Sequence, residues 1–142
     1  MIVPNVSAFS FMLKLEIVTP EKKVLEAEVD TVSVPTVSGE VGIMPAHAPL
    51  VSALRPGVVS YSGKSVSGKL AVASGFVEVN RDKVSLLVDA AATSDDVDVD
   101  AARQEKDAAE KAASASAMTA EDAEAARDAI DLASAKMAVA AK

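Results

Sequence analysis

From Leu13 the chain alternates in hydrophobicity. Leu13, Leu15 and Ile17 share one side of a strand opposite Lys14, Glu16 and Val18, and Thr19-Pro20-Glu21-Lys22 supplies the turn that ends it. A second run spans Val24 to Val29. In the next, Val32 and Val34 face away from Thr31 and Ser33, and Pro35 is expected to close the strand. Further runs follow at Val58-Val59-Ser60-Tyr61, Lys69 to Ala73, Phe76 to Val79 and Val84 to Val88. They are separated by a hairpin loop at Ser62-Gly63-Lys64-Ser65 and a polar turn at Asn80 to Lys83. Many short strands with turn residues between them predict an antiparallel β-sandwich or flattened barrel that ends near Asp89.

The stretch Ser38 to Gly57, SGEVGIMPAHAPLVSALRPG, breaks this rhythm. It gathers Gly39, Gly42, Pro45, Pro49, Pro56 and Gly57 around the sole histidine, His47. Glycine opens backbone angles closed to other residues and proline fixes φ, so the pattern predicts a bent backbone through which a strand does not simply run. A shaped surface of this kind suits contact.

After Thr93-Ser94-Asp95-Asp96, expected to be a linker, the pattern changes. From residue 101 to 142 alanine fills 18 of 42 positions and neither Gly nor Pro occurs, which predicts helix. Asp98 suits the N-cap, and Asp100 sits at the positive end of the helix dipole. A break at 114–118 followed by Thr119-Ala120-Glu121-Asp122, close to a capping box, starts a second helix and so an antiparallel hairpin. On that helix Ala126, Ile130, Ala133 and Met137 recur as an amphipathic stripe. An alanine methyl contributes roughly 0.8 kcal/mol on burial against about 1.5 to 3 for Leu or Ile, so an alanine-rich hairpin should dock closely but weakly, as a movable element.

The expected architecture is α+β segregated: an extension over residues 1–11, a sandwich over 12–92 and a helical hairpin over 93–142, with Met12 an alternative start. Composition sharpens this. Aromatics are limited to three Phe and one Tyr, so the core is aliphatic and base stacking has little to work with. Net charge is −7, against nucleic acid as a partner. The charge is uneven: residues 1–92 carry eight basic and nine acidic groups, residues 93–142 six and twelve. Cysteine is absent, which removes disulfides and thiolate metal sites, and no apolar run approaches the roughly 20 residues of a membrane span. The opening residues lack the pattern of a signal peptide, and a cytoplasmic protein is expected.

Candidate chemistry is sparse. His47 would need an orienting acid and a nucleophile, for which Glu40 and Ser52 are nearest in sequence, but their spacing matches no triad and one histidine makes no usual zinc site. Gly63-Lys64-Ser65 lacks the earlier glycine of a phosphate loop, since Val58 stands there. The acids at 95, 96, 98 and 100 lack the central glycine and closing glutamate of a calcium loop. Neither catalysis nor a metal is expected.

GEVGIMPAHAPLVSALRPG closely resembles the signature of the epsilon subunit of bacterial F-type ATP synthases, the counterpart of the mitochondrial delta subunit. The pattern G-x-x-G-I-x-P-x-H-x-P-L followed by R/K-P-G is met by Gly39, Gly42, Ile43, Pro45, His47, Pro49, Leu50, Arg55, Pro56 and Gly57. The order of elements from Leu13 to Lys142 is also similar. The resemblance implies a non-catalytic rotor subunit of the central stalk, peripheral on the cytoplasmic face of the inner membrane. Its partners would be the gamma subunit, the c-ring and, with the hairpin extended, the catalytic alpha/beta head.

Carried onto this chain, Ser38, Gly39 and Glu40 would face the c-ring, and Met44, Pro45, His47, Pro49 and Leu50 would meet gamma. The hairpin would restrain ATP hydrolysis. Some members bind ATP through a motif like I/L-D-x-x-R-A. Val99 to Gln104 keeps its Asp100 and Arg103 while both ends differ, and only Lys106, Lys111 and Arg127 stand nearby among many acids. No cofactor is expected; ATP is the regulatory ligand that Asp100 and Arg103 would hold. A different reading of the same residues is a free-standing sandwich adaptor whose acidic hairpin binds a basic protein.

Overall fold

The computed structural model describes residues 12–114 and 119–141. The extension expected over 1–11, and residues 115–118 of the expected break, lie outside the described residues. Ten strands come first: β1 (Leu13–Val18), β2 (Lys23–Val29), β3 (Thr31–Thr36), β4 (Gly39–Ile43), β5 (Leu50–Leu54), β6 (Gly57–Ser62), β7 (Ser67–Val72), β8 (Gly75–Asn80), β9 (Lys83–Val88) and β10 (Ala91–Ala92). A 3-10 turn at Ser94–Asp96 leads into α1 (Val99–Ala113) and α2 (Ala120–Ala141).

The strands form two leaves, β4-β3-β6-β7-β10 and β5-β8-β9-β1-β2, joined where Thr36 of β3 pairs with Leu54 of β5. Period-two alternation sends one residue set inward from every long strand. Leu13, Leu15, Ile17, Val32, Val34, Ile43, Val59, Leu70, Val77 and Leu86 are all buried in one aliphatic core. A core of branched aliphatics fits facing pleated surfaces without aromatics.

Three sequence expectations need correction. The sandwich is not wholly antiparallel, because β1 runs parallel to β9. The first and last long strands lie side by side, and the seven strands between them supply the long crossover that parallel neighbours require. Pro35 does not close a strand: it lies inside β3 opposite Glu40. β3 pairs with β6 only through Thr31, Val32 and Ser33, so the missing N–H falls beyond that ladder. The Gly/Pro stretch is itself largely strand, holding β4 and β5, with a loop between Ile43 and Leu50 and short turns at Ser38 and at Arg55-Pro56.

The expected linker after β10 is ordered by Thr93, whose Oγ1 and N–H donate to Asp96 at 3.0 and 3.1 Å. These bonds hold the Asp96 carboxyl below its ordinary pKa, the backbone bond contributing most. Asp98 caps α1 as expected by accepting from the Ala101 N–H at 3.1 Å. Thr119 starts α2 by accepting from the Asp122 N–H at 3.0 Å.

α2 packs along α1 and on the outer face of β6 and β7, which makes it the element that ties the hairpin to the sandwich. Of the expected stripe, Ala126 and Ala133 are buried while Ile130 and Met137 are half-buried. A second buried face, Ala135 and Val139, rests on Ala71 and Val58, which oppose each other across β6 and β7. Small residues on both sides let helix and sheet approach closely, at the cost of little buried area per residue.

Candidate functional site

The structure separates the two groups of residues in the Gly/Pro stretch that were expected to make contacts. Ser38, Gly39 and Glu40 form the exposed end of the β3–β4 hairpin. Gly39 has φ +123°, a conformation open to glycine. The buried Thr36 fixes the turn, its hydroxyl donating to the Gly39 carbonyl and accepting from the Ser38 N–H at 3.2 Å. The tip is therefore an exposed carboxylate on a rigid bend.

Met44, Pro45, His47 and Pro49 lie at the other end of β4, about 15 Å away by strand rise. Ala46 takes φ +66° at the apex, and its N–H is 3.4 Å from Asp82 Oδ1 in the β8–β9 turn. His47 closes the loop from both ends: its N–H donates to the Met44 carbonyl at 3.1 Å, and Nδ1 lies 2.7 Å from the Ala48 carbonyl oxygen. Ser52 donates instead to the Ala53 carbonyl, at 3.3 Å. The histidine thus shapes a turn. Leu50 packs against the core, and its neighbour Val51 faces outward.

Sequence reading missed an exposed apolar surface on the β5-β8-β9 leaf. Val51, Phe76 and Leu87 are 70, 58 and 55% exposed, while Met44, also exposed, lies apart from them beside Thr31, Ser33, Ser60 and Ser62 of the other leaf. Ala53, Phe76, Leu87 and Val18 stand in one register row across β5, β8, β9 and β1. Parity carried the signal: with Val77, Val79, Leu86 and Val88 inward, Phe76 and Leu87 must point out. This row lies on the outer face of one leaf, whereas the hairpin covers the outer face of the other.

Asp100 and Arg103 are both exposed on the first turns of α1, where Arg103 donates to Asp100 at 3.3 Å. They form an i,i+3 pair. A separate cleft of about 530 Å³ opens between the sandwich and the first half of α2, lined by Val37 and Arg55 on one side and by Glu124, Arg127, Asp128 and Asp131 on the other. Arg55, the arginine of the Arg-Pro-Gly turn, reaches Asp131 at 3.1 Å. Among the described residues no cluster of acids and histidine suits a metal, and no helix is long and apolar enough to cross a membrane.

Residues 12–94 match the family described as ATP synthase, Delta/Epsilon chain, beta-sandwich domain. The ATP synthase epsilon chain of Halalkalibacterium halodurans is 48% identical over 99 residues, covering 70% of this chain and 74% of that one. The epsilon chain of Nitratidesulfovibrio vulgaris strain DP4 is 43% identical over 99 residues, with the same coverage. The fold is similar to a chain of the Euglena gracilis mitochondrial ATP synthase solved with OSCP, F1 and c-ring, at TM-score 0.77 and 16% identity over 93% of this chain and 82% of that one. It is also similar to a chain of the Tetrahymena thermophila mitochondrial ATP synthase central stalk and c-ring, at TM-score 0.62 and 18% identity over 88% and 96%. The family match covers the sandwich and stops before α1, while the structural likenesses span enough of the chain to include the hairpin. By its sandwich, its signature stretch and its relatives, the chain belongs to the delta/epsilon chain family of ATP synthases.

Proposed function

We propose that this chain is a non-catalytic rotor part of the ATP synthase central stalk, passing c-ring rotation to the catalytic head through gamma. The supporting observation is the exposed apolar surface of Val51, Phe76 and Leu87. Large apolar side chains grouped on one rigid face mark a protein contact, and this face is turned away from the chain's own hairpin. In this reading gamma covers that surface together with Met44, Pro45, His47, Pro49 and Leu50. The tip at Ser38, Gly39 and Glu40 meets the polar rim of the c-ring and holds the subunit at the membrane's cytoplasmic side without inserting.

Copurification with gamma tests the contact. Phe76→Lys together with Leu87→Lys should weaken gamma binding by tenfold or more, on the order expected when central aromatic and aliphatic anchors are lost. The melting temperature should stay put, because both residues are exposed. Unchanged stoichiometric assembly of that variant would sink the assignment.

The same proposal makes the hairpin a brake on hydrolysis. Truncation after Ala92, reconstituted with the catalytic head, should speed ATP hydrolysis while leaving coupled synthesis intact; unchanged hydrolysis would mean that the hairpin is no brake. Regulation in this reading runs through docking of α2. A triphosphate needs concentrated positive charge, and near Asp100 only Arg103 and Lys106 supply it among many acids, so ATP titrated into the full chain should give no heat that Arg103→Ala abolishes.

A further inference from the structure

We infer that Arg55 and Asp131 form an electrostatic clasp that sets how often the hairpin leaves the sandwich. This rests on the reading of the hairpin as a movable element. Among the described residues theirs is the one ion pair between sandwich and hairpin. Its two ends are anchored differently. The Arg55 N–H donates to the Pro35 carbonyl at 2.9 Å, so the guanidinium projects from a turn fixed to β3. Asp131 lies one and two helical turns before Ala135 and Val139, on the α2 face that meets Ala71 and Val58.

The clasp stands where packing gives way to open cleft. Beyond Asp131, Ala135 and Val139 are buried on the sheet; before it, Glu124, Arg127 and Asp128 line solvent-filled space opposite Val37 and Arg55. Arg55 is the sandwich's cation in that cleft and faces three carboxylates and one arginine. Removing its charge leaves the acids of α2 unbalanced, and reversing it adds repulsion. A half-exposed pair is weak on its own, but the apolar seam beside it is built from alanine and valine, so a small electrostatic bias decides the balance. Because the pair is solvent-accessible, rising ionic strength should loosen the hairpin.

The absence of cysteine provides a clean probe. Ala71 is 0% exposed beneath α2, so in an Ala71→Cys background of the full chain, thiol labelling by a water-soluble reagent reports release. Val77→Cys, inside the core, reports global opening. Arg55→Glu and Asp131→Lys, each alone, should speed labelling at residue 71 about fivefold. The double variant Arg55→Glu with Asp131→Lys should return to within about twofold of the parent. Going from about 0.05 to about 0.5 M salt should speed the parent and leave Arg55→Gln unchanged. Single variants that label like the parent, or a swap that fails to restore, would overturn the clasp. If the parent labels at residue 71 no faster than at residue 77, release is merely global unfolding, and the movable-hairpin reading falls with it.

Discussion

Three glycines that look alike in the sequence have different reasons to be there. At Gly75 a Cβ would lie 2.0 Å from the Leu87 carbonyl oxygen and 2.7 Å from the Val88 Cα, so the backbones of β8 and β9 touch where only hydrogen fits. Gly75→Ala should cost about 3 kcal/mol or prevent folding, read by urea denaturation. At Gly39 there is open space, but φ is +123°, and Gly39→Ala should cost about 1 to 3 kcal/mol through backbone strain. Gly42 has neither constraint, and Gly42→Ala should leave stability within about 0.5 kcal/mol. The local sequence reveals that glycines gather around His47. It does not reveal that the one with least room lies outside that cluster, since close approach is a relation between distant strands.

The charged outer face of β1, β2 and β9 shows what pairing adds to alternation. Lys23 reaches Glu16 at 2.9 Å and Glu26 at 3.4 Å, Lys14 reaches Glu26 at 3.1 Å, and Lys83 lies 3.8 Å from Glu16. Hydrogen bonding from Lys23 holds Glu16 below the ordinary 4.5, and hydrogen bonding from Lys14 does the same for Glu26. Carboxyls with depressed folded pKa values contribute stability above their unfolded pKa and lose it as pH falls through the folded value. Thermal stability of the full chain should therefore drop below about pH 4.5, and Glu16→Gln should flatten that acid limb in calorimetric scans. Lys23, raised from 10.5 chiefly by Glu16, contributes below that pH and stops contributing as pH rises through its folded value. The outward charges of β1 were legible as alternation. Their partners depended on β2 folding back and β9 arriving in parallel.

At the scale of the molecule, two outer faces divide the work: one leaf carries α2, the other an apolar row left uncovered. Ala71 marks the first face, sealed by Ala135 and Val139. Ala71→Arg should push α2 off while leaving core packing intact, so limited proteolysis should cut α1 and α2 quickly with the sandwich surviving. If that variant resists proteolysis as the parent does, docking at this seam is not what holds the hairpin. The helical pattern of α2 pointed to one buried stripe, yet the helix is buried on two sides, because a chain of small residues carries little periodic contrast between faces.

By itself the sequence determined the long strands outside the Gly/Pro stretch, the capped helices, the change of composition after the sandwich and the family signature. Each of these is written in local spacing, where period two, period 3.6, Gly, Pro and capping residues act on their near neighbours. Tertiary structure alone decided that β1 meets β9 in parallel, that Phe76 and Leu87 share an exposed row, and that Arg55 of the signature grips Asp131 of α2. Those relations join residues as much as 76 positions apart. Register and packing across the whole chain set them, and no window of sequence contains both partners.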